Sequence, residues 1–145
     1  MWDRERALKW STIFLRISLA AGFLSAVADR FGLWGPPGTP NVAWGAFEPF
    51  LAYTKSLLWF VPASLVPVAG WVATVLEIIL GIGLLVGTRL AVVALASGVL
   101  LSIFGISMTI ALGPEPAFSY SVWSAAAGAF LLAALLSSRE CAKTA

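Results

Sequence analysis

The sequence predicts an all-α integral membrane protein, a four-transmembrane-helix bundle with one additional amphipathic helix, in a single domain over residues 1–145. The first observation is composition: 60% of the 145 residues are hydrophobic and 11% are charged, whereas a soluble domain carries about 25% charged residues. The second is that four apolar segments each approach the ~20 residues that a helix needs to cross a bilayer. These segments must be helical because lipid offers no partner to exposed backbone groups.

Clear breaks separate the predicted spans. The sequence Gly-Pro-Pro-Gly at residues 35–38 marks a loop after the first span. The turn Gly87-Thr-Arg89 is very short, so the second and third spans are antiparallel neighbours. Pro114 and Pro116 end the third span because proline cannot continue a helix. The four predicted spans are residues 10–28, 66–86, 90–112 and 119–136.

The first span has a second interpretation, as a secretory signal peptide. Basic residues, an apolar stretch and Ala26-Val-Ala28 before Asp29 resemble such a peptide with its cleavage site. Arg16 interrupts the apolar stretch, and for this reason we expect an uncleaved transmembrane helix.

The basic residues predict the orientation of the chain. With four crossings, only Arg30 and Lys55 fall on one side. On the other side lie Arg4, Arg6, Lys9, Arg89, Arg139 and Lys143. Loops rich in Lys and Arg stay in the cytoplasm, so both termini are predicted to be cytoplasmic. The net charge of +2, with no basic cluster, argues against a nucleic-acid partner.

The segment between the first two spans contains one further helical pattern, at about residues 46–61. Apolar side chains recur there on one helical face, and Glu48 and Lys55 lie on the other. This pattern favours an amphipathic helix in the outer membrane interface, with a re-entrant helix as the alternative. Aromatic residues are dense in this region, among them Trp34, Trp44 and Tyr53. They anchor the protein at the interface or line a site for a flat apolar ligand.

Glu77 is the strongest candidate for a functional residue. It is the only acidic residue in the apolar run from Trp71 to Val86, and a carboxylate at bilayer depth costs roughly 2.5–3.5 kcal/mol on insertion scales. It shares a helical face with Gly70, Thr74 and Gly81, and small residues mark faces where membrane helices meet. Glu77 is therefore predicted to point into the bundle.

Arg16 is the candidate partner of Glu77, since it is the other charge inside an apolar run. Pairing requires helix one to turn the face of Arg16, Leu19 and Phe23 inward. The alternative is that the Arg16 side chain extends to the cytoplasmic headgroups. Glu77 is then either an ionised structural lock or a group that binds a ligand or relays a proton.

The sequence excludes several chemistries. There is no His, the commonest haem and metal ligand. The single Cys141 cannot form an internal disulfide or a CxxC dithiol. We therefore expect no catalytic motif, no metal site and no covalently bound cofactor.

Four motifs together resemble the DoxX family of small four-helix bacterial membrane proteins. They are Ile13-Phe-Leu-Arg16, the outer segment from Ala28 to Gly38, the run from Leu76 to Gly87 followed by Thr88-Arg89, and Tyr120-Ser-Val-Trp-Ser124. The resemblance implies a four-helix bundle in the bacterial inner membrane. Members are associated with membrane redox systems, including a thiosulfate:quinone oxidoreductase subunit, so it also implies an accessory role beside a redox enzyme and quinone as a ligand.

Three functional hypotheses follow. The first is a quinone-interacting subunit that assists a redox enzyme. The second is a small transporter or lipophile-binding protein, expected to form a homodimer because four helices are few for alternating access. The third is a structural or assembly factor. The candidate ligand-binding residues are Glu77, Arg16, Thr74, Asp29, Trp34, Trp44, Tyr53 and Tyr120.

Overall fold

The structure, a computed structural model, describes residues 3–144, with side chains described as far as residue 138. Within these residues the regular elements are all helices: α1 (Arg4–Arg30), α2 (Phe47–Leu57), α3 (Val66–Val86), α4 (Leu90–Leu112), α5 (Pro114–Ser119) and α6 (Val122–Thr144). One 3-10 turn, Ala63–Leu65, leads into α3. The predicted all-helical class is confirmed. Cys141 lies in α6 beyond the described side chains.

Three helical segments are long and apolar enough to cross a membrane. They are Arg4–Arg30, Ala63–Val86 and Leu90–Leu112. The fourth predicted span corresponds to a shorter apolar segment, Val122–Ser138. It begins later than predicted because Ser121 has a φ of 55° and separates α5 from α6. The Ser121 N–H donates to the Phe118 carbonyl at 2.8 Å, which closes this turn.

α1 is longer than the predicted span at both ends. Its N-cap is Asp3, whose side chain accepts a hydrogen bond from the Glu5 N–H at 3.1 Å. At the other end Gly32 adopts a φ of 73°, and the Leu33 N–H donates to the Ala28 carbonyl at 3.0 Å. Glycine at the left-handed position after a helix is the usual residue for this helix ending. The helix therefore continues two residues past Ala28 and includes Asp29 and Arg30.

α2 is shorter than its predicted range. It ends at Leu57, and Leu58 donates its N–H to the Thr54 carbonyl at 2.9 Å. The chain then turns at residues 58–61 before Pro62. Phe50 and Thr54 are the buried residues of α2, so this helix packs on the bundle through the face that carries them.

The four long helices pack as antiparallel neighbours. A Cβ at Gly81 of α3 would lie 3.0 Å from Leu24 of α1. Between α4 and α6, Gly98 faces Phe130 and Gly105 faces Trp123. Small residues thus admit large side chains of the neighbouring helix, which is how membrane helices approach closely.

The face of α1 that carries Arg16 is the one that turns inward. Leu19, Ala20, Phe23 and Val27 are all buried. The core they enter also contains Leu80, Leu84, Ala94, Leu100, Ala129 and Leu132. This is the inward orientation that a buried contact of Arg16 requires, and it directs both Arg16 and Arg30 toward α3.

Candidate functional site: a buried ion pair on the wall of an apolar cavity

Glu77 is paired with Arg30, the last residue of α1. Arg30 Nη2 donates to Glu77 Oε1 at 2.8 Å, and Arg30 Nη1 lies 2.7 Å from Glu77 Oε2. The second contact is an ion pair that lacks hydrogen-bond alignment, since Oε2 has no hydrogen-bond partner among the described residues. Both side chains are almost fully buried, at 4% and 3% exposure. The two-point geometry suits arginine, whose planar fork matches a carboxylate.

Three further side chains surround the guanidinium. Arg30 Nη1 donates to Thr74 Oγ1 at 2.9 Å, and the Thr74 hydroxyl donates to the Gly70 carbonyl at 2.8 Å. The Phe50 ring centroid lies 3.9 Å from Arg30 Cζ, and the Trp44 ring lies 5.5 Å away. Aromatic faces attract cations, more strongly where water is excluded. Thr74 therefore supports the pair from α3, and two aromatic rings cover it from the α2 side.

Asp29 positions this aromatic cover. Its Oδ2 accepts a hydrogen bond from the Trp44 backbone N–H at 2.8 Å, which ties the connecting loop to the end of α1. Gly45 follows at a φ of 65°, and a Cβ there would lie 2.5 Å from the Pro37 nitrogen. The loop thus packs closely upon itself just after Trp44. Asp29 holds Trp44 through its main chain rather than facing the cavity.

Arg16, the candidate partner of Glu77, contacts the end of α3 instead, so the pairing that the sequence left open is not formed. Arg16 donates to the Leu84 carbonyl from Nε at 3.0 Å and from Nη2 at 2.8 Å, and to the Leu85 carbonyl at 3.2 Å. These carbonyls belong to the last turn of α3, where helical partners are lacking and the helix dipole favours a cation. Because α1 and α3 are antiparallel, Arg16 lies beside the C-terminal end of α3 and Arg30 lies beside Glu77.

A cavity of about 850 Å³ lies between the helices. Its walls are mostly aliphatic and aromatic, and they come from α1, α2, α3, α4, the α5–α6 turn and α6. Leu15 and Arg30 mark its extent along α1, a distance of roughly 22 Å at 1.5 Å per residue. The polar and aromatic side chains on its walls include Arg30, Glu77, Trp44, Tyr53, Thr54 and Tyr120.

Four of the eight predicted site residues line this cavity. They are Glu77, Trp44, Tyr53 and Tyr120. Thr74 and Asp29 act behind the wall, through Arg30 and Trp44. Trp34 lies outside it, 60% exposed, and its Nε1 donates to the Ser25 carbonyl at 3.1 Å.

Arg30 is the functional residue that sequence analysis missed. The predicted first span ends at residue 28, which places Arg30 in the outer loop. The Phe31-Gly32 pair, a helix-ending signal, extends α1 to Arg30 and would have included it. Three of the residues that surround Arg30, namely Glu77, Thr74 and Trp44, are among the predicted site residues.

Tyr53 adds a further hydrogen-bonding group to the site. Tyr53 Oη is buried and has no hydrogen-bond partner among the described residues. Burial raises the pKa of the Tyr53 hydroxyl, and the nearby Tyr120 adds to this effect, so Tyr53 is neutral and can donate. Among the described residues no group of three or more His, Cys, Asp or Glu side chains could hold a metal ion.

Comparison with family models, with curated proteins and with solved structures found no match to this chain.

Proposed function

We propose that the protein binds a lipophilic molecule of the quinone class in the central cavity and serves as an accessory subunit of a membrane redox system. The observation that carries this proposal is the cavity itself: about 850 Å³ of mostly apolar space with a buried Arg30–Glu77 pair on its wall. Ligand sites in proteins are typically clefts of about 300–1,000 Å³ with few, well-placed polar groups.

The proposed setting is a bacterial inner membrane, crossed four times. α6 is the fourth span, and its apolar part, Val122–Ser138, is antiparallel to α4. Both termini and Arg89 then lie on the cytoplasmic side, as the distribution of basic residues favours. α2 lies at the opposite interface, beside the Arg30 end of the cavity. The resemblance to the DoxX family supports this topology and the redox association.

The shape of the cavity suits an amphiphile with a compact head and a long tail. Tyr53, Trp44, Arg30 and Glu77 provide the polar and aromatic end. Toward Leu15 the walls of α1 are aliphatic or small, with Ser18 and Gly22 among them. A quinone ring would stack against aromatic side chains, and an isoprenoid tail would bury apolar surface along α1.

Photo-crosslinking with an azidoquinone tests this proposal. The purified protein in lipid nanodiscs is irradiated with the probe, and labelled peptides are mapped by mass spectrometry. We expect labels on residues 15–30, 69–77 and 100–108, and competition by an unlabelled short-chain quinone. Labelling spread over the lipid-facing surface, without competition, would reject the proposal.

Gly22 provides a cavity-filling variant. It lines the cavity, and a Cβ at this position would meet nothing within 4 Å. Gly22→Leu is therefore expected to place a side chain in the cavity without a clash and to abolish labelling. The control is Ala21→Leu, one residue earlier on α1, where the side chain is exposed and outside the cavity. Equal labelling of the two variants would contradict a ligand in the cavity.

A second candidate is a carrier for lipophilic molecules. Ser18 and Gly22 line the cavity and are also exposed, so the cavity is accessible along one side of α1. Transport of a fluorescent lipophile by proteoliposomes, together with a dimer in detergent, would favour this function. A monomer that binds quinone without net flux would favour the accessory subunit.

A further inference from the structure

The end of the cavity next to α2 contains buried hydrogen-bond donors that the described residues leave unpartnered. Arg30 Nε and Tyr53 Oη are each buried without a hydrogen-bond partner among these residues. Arg30 and Tyr53 both line the cavity. Buried donors without partners are rare in proteins, and each one calls for an explanation. A ligand that accepts hydrogen bonds would satisfy both.

The two donors belong to the same end of the cavity. The Trp44 ring lies 5.5 Å from Arg30 Cζ, and its centroid lies 6.2 Å from the centroid of the Tyr53 ring. Trp44 is therefore close to both the guanidinium and the phenol ring. The nearby Thr54 hydroxyl already donates to the Phe50 carbonyl at 2.9 Å, so it is not a third free donor.

The charge at this end is already balanced. Arg30 and Glu77 contact each other at 2.7 and 2.8 Å, so the buried pair has no net charge. A carboxylate head would add a second anion beside Glu77, and an ammonium head would add a second cation beside Arg30. Either would leave an unbalanced charge in a region of low dielectric constant, which is costly. A neutral head avoids this cost.

We infer that the Arg30–Tyr53 end of the cavity selects a neutral lipophile with a hydrogen-bond-accepting head, such as a carbonyl group, and rejects fatty acids and cationic amphiphiles. This inference rests on the proposed function, since it requires a lipophile in the cavity. Arg30 and Tyr53 donate to the head, and Glu77 sets the charge selectivity because it neutralises Arg30.

Four ligands that each contain about twelve carbon atoms but differ in the head group separate these effects. They are 2-dodecanone, dodecanoate, dodecylammonium and dodecane, and each is titrated against the thermal unfolding midpoint of the purified protein. A ligand that binds the folded state raises Tm according to its affinity. We expect 2-dodecanone to bind about tenfold or more tightly than each of the other three, the ratio for a 1.4 kcal/mol preference.

Two variants assign the roles. Tyr53→Phe is expected to weaken 2-dodecanone about three- to tenfold, the value of one hydrogen bond, and to leave dodecane unchanged. Glu77→Gln leaves Arg30 with an unbalanced charge. The variant should therefore bind dodecanoate more tightly than 2-dodecanone. If Glu77→Gln does not fold, Tyr53→Phe and the wild-type series remain decisive.

The outcomes distinguish the inference from the proposed function. If dodecanoate or dodecylammonium binds most tightly to the wild type, or if Tyr53→Phe weakens dodecane and 2-dodecanone equally, the inference is wrong and the cavity still binds lipophiles. If none of the four ligands raises Tm and Gly22→Leu leaves the azidoquinone labelling unchanged, the proposed function itself fails.

Discussion

Two arginines of α1, Arg16 and Arg30, contact α3, yet their surroundings differ. Arg16 is half-buried and binds the main-chain carbonyls of Leu84 and Leu85. Arg30 is 4% exposed and faces the carboxylate of Glu77, the hydroxyl of Thr74 and the ring of Phe50. Arg16 completes the end of a helix, whereas Arg30 forms a charge-neutral pair on the wall of a cavity.

A charged side chain in an apolar helix does not always pair with an opposite charge. Helix carbonyls are sufficient for Arg16 because the last turn of α3 has unpaired acceptors. Main-chain carbonyls carry only partial charges, so they do not neutralise Arg16. Because the Arg16 side chain is partly exposed, water can hydrate the remaining charge. Glu77 lies about two turns earlier on α3 and requires a full positive charge, which Arg30 supplies.

The largest expected effect is at the Arg30–Glu77 pair. Glu77→Gln should destabilise the protein by about 3–5 kcal/mol because it leaves Arg30 buried without a counter-charge. Arg30→Gln should be similarly harmful, whereas the double variant should recover much of the loss. The free energy of unfolding in mixed micelles measures all three. A double variant as unstable as the sum of the singles would show that the two residues do not form a pair.

A smaller effect is expected at Gly87, the residue that ends α3. Its φ is 84°, and an added Cβ would lie 2.8 Å from Arg16 Nη2. Gly87→Ala should cost about 2 kcal/mol, of which roughly half is backbone strain and the rest displacement of Arg16. The same unfolding measurement applies.

Gly38 provides the matched control for Gly87. Its φ is 87°, it has open space around it, and the Thr39 N–H to Pro36 carbonyl bond places it in a tight turn. Gly38→Ala should therefore cost only the strain, about 1 kcal/mol. In an Arg16→Gln background the two alanine variants should become equal. A difference that persists there would mean that Arg16 is not the cause.

The smallest effect is expected for Arg16 alone. Arg16→Gln should cost about 1 kcal/mol, since its hydrogen bonds to main-chain carbonyls are partly exposed. Combined with Glu77→Gln, the two losses should add within about 0.5 kcal/mol, as for residues that share no partner. Strong coupling in this double-mutant cycle would restore the pairing of Arg16 with Glu77 that the sequence suggested.

Composition and periodicity predicted the helical class, most helix positions and the inward direction of Glu77. They did so because the spacing of apolar residues along the chain determines which face of each helix is buried. The partner of Glu77 was not predictable in this way, since it depends on where α1 ends. α1 extends two residues further than predicted, and for this reason Arg30 lies on the cavity wall and not in a loop. The position of Trp44 depends on a hydrogen bond to Asp29, which spacing does not encode.

The separation of Arg30 and Glu77 along the chain has a consequence for biogenesis. Arg30 precedes Glu77 by 47 residues, so it leaves the ribosome roughly 2–10 s earlier at 5–20 residues per second. In the proposed topology Arg30 must therefore be translocated before Glu77 has been synthesised. The cationic cluster of Arg4, Arg6 and Lys9 at the opposite end must retain the N-terminus in the cytoplasm during that interval. Residues remote from the cavity thus decide whether its ion pair is ever assembled.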